Sequence, residues 1–151
     1  MPDDTPSRSG PLQGGITEEG VLGAAAALVA AFRATDTDAY FAAFATDATF
    51  VFHTEERRIE TRAEYEDLWR GWLAEGWHVT ECVSSNPRVQ LLGTAAVFTH
   101  DVLTTTSVGG TARTTHERET IVFQQTEGAG MKAVHEHLSP LPSNTPETSA
   151  S

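Results

Sequence analysis

The stretch Thr61–Ser85, "TRAEYEDLWRGWLAEGWHVTECVSS", changes its hydrophobic period halfway along. Thr61 and Glu64 form a Thr-x-x-Glu capping box, the mark of a helix start. Tyr65, Leu68, Trp69, Trp72 and Leu73 then fall at i, i+3, i+4, i+7 and i+8, one face of a helix, and that face is unusually aromatic. Past Gly76 the period drops to two, as in a strand with one buried side.

Everything downstream keeps the strand period. The runs are Trp77–Ser85, continuing into "RVQLL", then Ala95–Thr106, Ala112–Gln125 and Met131–Ser139. Gly93, the Gly109-Gly110 pair and the Gly128–Gly130 segment separate them at the short distances of antiparallel hairpins. Upstream, Thr17 followed by Glu18 and Glu19 starts a helix that runs to about Arg33. "TDTD", Thr35–Asp38, offers N-caps for a short second helix carrying Tyr40, Phe41 and Phe44. "ATFVFH", Ala48–His53, suits a strand, and "TEERRIET" a charged turn. Helices first and a strand meander afterwards predict an α+β fold, helices on one face of a curved antiparallel sheet, rather than a parallel βαβ arrangement.

The 151 residues suffice for one core, expected over residues 16–140. Residues 1–15 and 141–151, rich in Pro, Gly, Ser and Thr, read as disordered tails. Twenty-one acids against ten bases give a net charge of −11, which argues against nucleic acid and anionic membrane surfaces as partners. The longest apolar run, "VLGAAAALVAAF", has 12 residues and follows acids, so it reads as neither a signal peptide nor a membrane span, and a cytoplasmic location is expected. Cys82 is the sole cysteine and reads as a small core residue.

Four segments carry a family likeness: "ATDATFVFH", "NPRVQLLGTAAVFTH", "RETIVF" and "VHEHLSP". Through them Val21–Pro140 resembles the nuclear transport factor 2-like superfamily, and within it the SnoaL-like proteins and the association domain of calmodulin-dependent protein kinase. The resemblance implies a cystatin-like cone, three N-terminal helices packed on a strongly curved antiparallel sheet around a central cavity, usually as a homodimer through the outer face of the sheet. Isomerase-like and cyclase-like members carry an acid at the end of the first strand; here Phe52, His53 and Thr54 stand there. His53 can replace it as the proton-transfer group, since an imidazole titrates near neutrality. Met131 stands where relatives usually have Trp, a difference of packing.

In the last strand His135 and His137 share one face, Glu136 and Leu138 the other. A His-x-His pair needs a third donor to hold a metal. His100, His116 and Asp101 are at hand, but no helix carries a His-x-x-x-His or His-x-x-Glu spacing, so neither a metal nor a cofactor is expected. The likeness to the association domain implies that Asp101, Ile121 and Leu138 face the cavity, and by alternation Thr99, Glu119, Val134 and Glu136 join them. Phe98, His100, Arg118, Val122, His135 and His137 are then expected at the dimer interface. Acids crowded into a pocket raise one another's pKa, preparing a general acid or a seat for a cation; solvation, or pairing with Arg70, Arg113 or Arg118, is the plainer alternative. Tyr40, Tyr65, Trp69 and Trp72 form an aromatic stripe that is ordinarily core, with one tryptophan expected to line the pocket.

Two functions follow as expectations. One is a small-molecule-binding domain that catalyses proton transfer, as an isomerase, cyclase or dehydratase, on a mid-sized hydrophobic substrate, with His53 and Asp101 as catalytic groups. The other is a non-catalytic dimerisation or assembly module whose cavity holds a metabolite.

Overall fold

The computed structural model describes residues 15–128 and 130–142. Both expected tails, except Gly15, Leu141 and Pro142, lie outside the described residues. Helix α1 (Glu18–Arg33) is capped by Thr17, whose side chain accepts the Gly20 N–H at 3.0 Å, with Glu18 and Glu19 at the positive end of the dipole. Helix α2 (Thr37–Ala42) is capped by Asp36, one of the four candidates in the Thr-Asp repeat. Strand β1 (Phe44–Phe52) follows, starting four residues before the aromatic run that announced it. Helix α3 (Arg62–Ala74) begins at the capping box, Thr61 accepting the Glu64 N–H at 3.2 Å. Four long strands complete the chain: β2 (Trp77–Leu92), β3 (Ala95–Val108), β4 (Thr111–Thr126) and β5 (Gly130–Pro140).

The five strands form one curved sheet in the order β1-β5-β4-β3-β2. All neighbours are antiparallel except β1 and β5, which run parallel. The early strand thus lies beside the last one, and α3 with the whole meander forms the connection between them. Bulges bend the strands: β2 shifts register between Val79 and Glu81 and again between Ser85 and Arg88, where Asn86 takes a φ of 55°. A third shift, opposite Val122 and Phe123, falls at Val134 in β5.

The concave face is filled mainly by rings. Trp69 is fully buried, stacks on Tyr40 at 4.9 Å and meets Phe41 edge-on at 5.2 Å. Its indole N–H donates to Thr37 Oγ1 at 2.9 Å, joining α3 to α2. Tyr65 packs its ring on Phe50 and Phe52 of β1. Aromatic pairs of this geometry add to the area they bury, so the α3 rings anchor helices to sheet. Replacing Trp69 by Ala should lower the unfolding free energy by about 3–5 kcal/mol in urea denaturation followed by circular dichroism; a loss under about 1 kcal/mol would mean that the anchor lies elsewhere.

Candidate functional site

Register fixes which side chains share a face, because residues opposite one another in a ladder point to the same side. Phe98 lies opposite Ile121, His100 opposite Glu119, and Val102 opposite Glu117. Ile121 is fully buried and Glu119 nearly so, on the concave side, so Phe98 and His100 are concave too. This corrects the sequence reading of β3, which put Phe98 and His100 on the outer face. Thr99 and Asp101, expected inside, are half-buried on the convex face, where Asp101 lies opposite Arg118 and accepts a long 3.4 Å bond from Asn86 Nδ2. In β5 the ladder places Glu136 opposite Ile121 and Leu138 opposite Glu119 on the concave side, with His135 and His137 on the convex one opposite Val122 and Thr120. The bulge at Val134 breaks the alternation, so Ala133 is fully buried in the core three residues before Glu136, and Val134 is left half-buried.

A cavity of about 360 Å³ lies between the helices and the concave face. Its helix side is Leu28, Phe32, Tyr40, Tyr65 and Trp72; its sheet side includes Thr104, Glu117, Glu119, Glu136 and Leu138. Trp69 and Ile121 are buried core residues behind the wall rather than part of it. A larger groove of about 620 Å³ runs outside, between α1 and β2, but no buried carboxylate or imidazole lines it. The chemistry is concentrated in the smaller space.

A row of hydrogen-bonded groups backs the cavity wall at Glu119 and runs from there to Ser84 in the outer groove. Ser84 Oγ lies 2.6 Å from His100 Nδ1, and His100 Nε2 lies 2.6 Å from Glu119 Oε1. Burial pushes the His100 imidazole down to about 4, outweighing the acids around it, so the ring is neutral near pH 7. The row is then satisfied in one sense: Ser84 donates to Nδ1, and the Nε2–H donates to Glu119. Glu136 adjoins Glu119; burial first, and the Glu119 charge second, push its carboxyl well above the ordinary range. Burial also raises Glu119, while its hydrogen bond with Glu136 pulls it down. Burial of both groups and their mutual charge therefore favour one proton shared by the pair over two negative charges, with Glu136 the more strongly raised. Oε1 of Glu136 is buried without a hydrogen-bond partner among the described residues.

Tyr40 and Tyr65 join their hydroxyls at 2.9 Å on the helix side, and burial, then the Glu136 charge, holds both phenols protonated. Near the rim, His53 Nε2 and Glu117 Oε2 pair at 2.6 Å. His53 thus meets Glu117, and neither Asp101 nor Glu119. On the convex face Thr49 Oγ1 bonds His135 Nδ1 at 2.8 Å, and the two histidine rings stand 6.3 Å apart. Among the described residues no three His, Cys, Asp or Glu side chains gather as a metal site requires. Glu117, Ser84, Thr104 and Trp77 were missed from sequence; Glu117 was legible as the residue two before Glu119 on the same strand.

The SnoaL-like domain family model matches residues 21–143. The chain belongs to the SnoaL-like family. No curated protein matches it at a significant level. Among solved structures, this SnoaL-like chain is similar to an NTF2-like protein of unknown function in nutrient uptake from Rhodospirillum rubrum, at 25% identity and a TM-score of 0.70 over 81% of this chain and 98% of that one. A ketosteroid isomerase-like protein from Erwinia carotovora atroseptica matches at 14% identity and a TM-score of 0.71 over 85% and 100%. The CaMKII hub of S. rosetta matches at 22% identity and a TM-score of 0.66 over 80% and 94%. The last two share the fold. The α+β cone and its family, both expected from the sequence, are what these likenesses show.

The buried acids and the imidazole pull stability in opposite directions with pH. Glu136 in the folded chain keeps a proton that the unfolded chain releases near 4.5, so its contribution is full below that pH and is lost as pH rises through the folded value. His100 contributes fully above 6.5 and loses its contribution as pH falls through about 4. Glu136→Gln removes the first effect and leaves the second. The melting temperature of the variant should rise relative to wild type by several degrees between mildly acidic and mildly alkaline pH in scanning calorimetry. A pH-independent difference would show that Glu136 carries no extra proton in the fold.

Proposed function

We propose that this SnoaL-like domain binds a mid-sized, mostly apolar small molecule in the concave cavity and transfers a proton on it, with Glu119 and Glu136 as the acid-base pair. One observation carries the reading: two buried carboxyl groups from neighbouring strands, Glu119 and Glu136, stand together on the wall of a cavity whose helix side is rings and aliphatic side chains, and burial raises the pKa of both. Such a pair presents a base and an acid at the same pH, the requirement for moving a proton from one atom of a substrate to another or onto a leaving group. Isomerisation, cyclisation and dehydration all fit that requirement. The volume lies in the range of small-molecule sites, roughly 300–1,000 Å³. Solved neighbours named as ketosteroid isomerase-like support the same class. His100 holds Glu119 in place from behind, and Glu117, paired with His53, lines the same wall.

A second reading, an assembly module, has its own support on the convex face. Val83 and Leu103 lie opposite each other there, 44% and 37% exposed, and Val97 and Val122 form a second opposed pair farther along the same face. A second copy covering this face would make a homodimer, with Arg118, Val122, His135 and His137 in the contact. The likeness to a CaMKII hub favours association of this kind. The two readings are compatible, since one uses each side of the sheet.

Native mass spectrometry of freshly purified protein separates them. The expected spectrum is a dimer retaining one organic molecule per subunit, which wild type converts on incubation and Glu119→Gln converts about a hundredfold more slowly or worse. A retained molecule returned unchanged by wild type would remove catalysis and keep binding. Leu103→Asp should shift the particle to the monomer mass; an unchanged dimer would place the interface elsewhere.

A further inference from the structure

We propose that the ligand of the concave cavity is an organic cation, an ammonium or quaternary ammonium group on an apolar body, held between the Glu119–Glu136 pair and the rings of Trp72, Trp77, Tyr40 and Tyr65. The proposal rests on the reading above that this cavity takes a small molecule, and names its chemical class.

Three observations converge on a positive charge. The first is the unpartnered oxygen of Glu136. This side chain is 4% exposed and lies on the cavity wall, yet Oε1 meets no donor among the described residues. A buried carboxyl oxygen without a partner is costly, and a cationic group is the partner that relieves it most. The second is the wall itself. Trp77 meets Phe32 and Trp72 at tilted angles, and all three rings line the same space as the acids. Ring faces attract cations, and tryptophan attracts them best. The third is the imbalance of fixed charge. Glu55, Glu117, Glu119 and Glu136 lie on the wall, and Arg113, itself exposed, is its one basic side chain among the described residues. An anionic ligand would meet four acids and one guanidinium.

The bound state follows from the groups that face the pair. His100 approaches from β3, Glu117 from β4, Tyr40 from α2 and Tyr65 from α3, while β1 contributes the uncharged rings of Phe50 and Phe52. None of these supplies a positive charge near pH 7, because the buried imidazole is neutral. When a permanent cation enters, it takes over the role of the shared proton. That proton passes to the buffer, and both carboxylates are left ionised around one positive charge. Binding is therefore coupled to proton release, and a quaternary ammonium probe isolates this coupling because it has no proton of its own.

Isothermal titration calorimetry on the full chain at neutral pH tests the class with three phenyl probes of similar size: benzyltrimethylammonium, its neutral isostere neopentylbenzene, and the anion 3-phenylpropionate. The expected result is binding of the cation at least about tenfold tighter than the isostere. Its apparent enthalpy should also differ between phosphate and Tris buffers, as proton release requires. Glu136→Gln, checked for a cooperative melting transition, should weaken the cation about tenfold or more and abolish the buffer dependence. Should that variant fail to fold, Trp72→Leu should weaken the cation more than the isostere. Equal or tighter binding of the isostere or the anion overturns the cation and leaves the small-molecule reading standing. Binding of none of the three overturns both.

Discussion

The structure depends on how a bent sheet is filled. Bulges in β2 and β5 curve the strands, and the hollow they create must hold side chains large enough to reach from helix to sheet. Tyr65 and Trp69 do this from α3, meeting Tyr40 and Phe41 of α2 and Phe50 of β1. Strands β2 and β4 each run 16 residues, longer than the 13 of α3, so they extend past the last of these rings. Space remains where the rings end, and Trp72, half-buried one turn past Trp69, marks the boundary between filled core and open cavity.

That boundary explains why two carboxyl groups can remain inside. An ionised pair in the core would face a desolvation cost that no base among the described residues offsets, since the imidazole in contact with it, His100, is neutral. Sharing a proton halves the charge, and the neutral ring of His100, anchored by Ser84, supplies Glu119 with a donor. The arrangement still leaves one oxygen unsatisfied. Stability is given up at this position, which is the pattern expected where a fold accommodates a ligand.

Much of the fold was legible because its strongest signals were local. The capping box at Thr61, the aromatic face of α3 and the glycines between strands each act over a few residues, and the elements appeared where those signals stood. The site was less legible because it depends on parity. In β3 the two alternating sets, Ala96-Phe98-His100-Val102 and Val97-Thr99-Asp101-Leu103, each mix polar and apolar residues, so hydrophobicity does not choose between them. The likeness to the kinase association domain chose the wrong set, and the pairing of His100 with Glu119 settles it. Phe98 is larger than Val97, and burying the larger residue carries the imidazole inward with it. Glu119 and Glu136 were reached from sequence by the same alternation in β4 and β5. The bulge at Val134, with no glycine or proline to announce it, was not.

The parallel pairing of β1 with β5 has a consequence for how the molecule comes to be. Thr49 and His135, bonded across that seam, are 86 positions apart in the chain. Among the described residues β1 pairs with no strand but β5, so apart from the single bridge of Phe50 to Ile59 the first half of the molecule possesses helices and rings but no ladder to close them against until β5 arrives. Distant pairings of this kind slow folding, since the loop must close before the contact rewards it. On the ribosome the exposed rings of α2 and β1 wait through the synthesis of the whole meander, and β5, which completes the ladder and brings Glu136 with it, finishes the core and the site in one step.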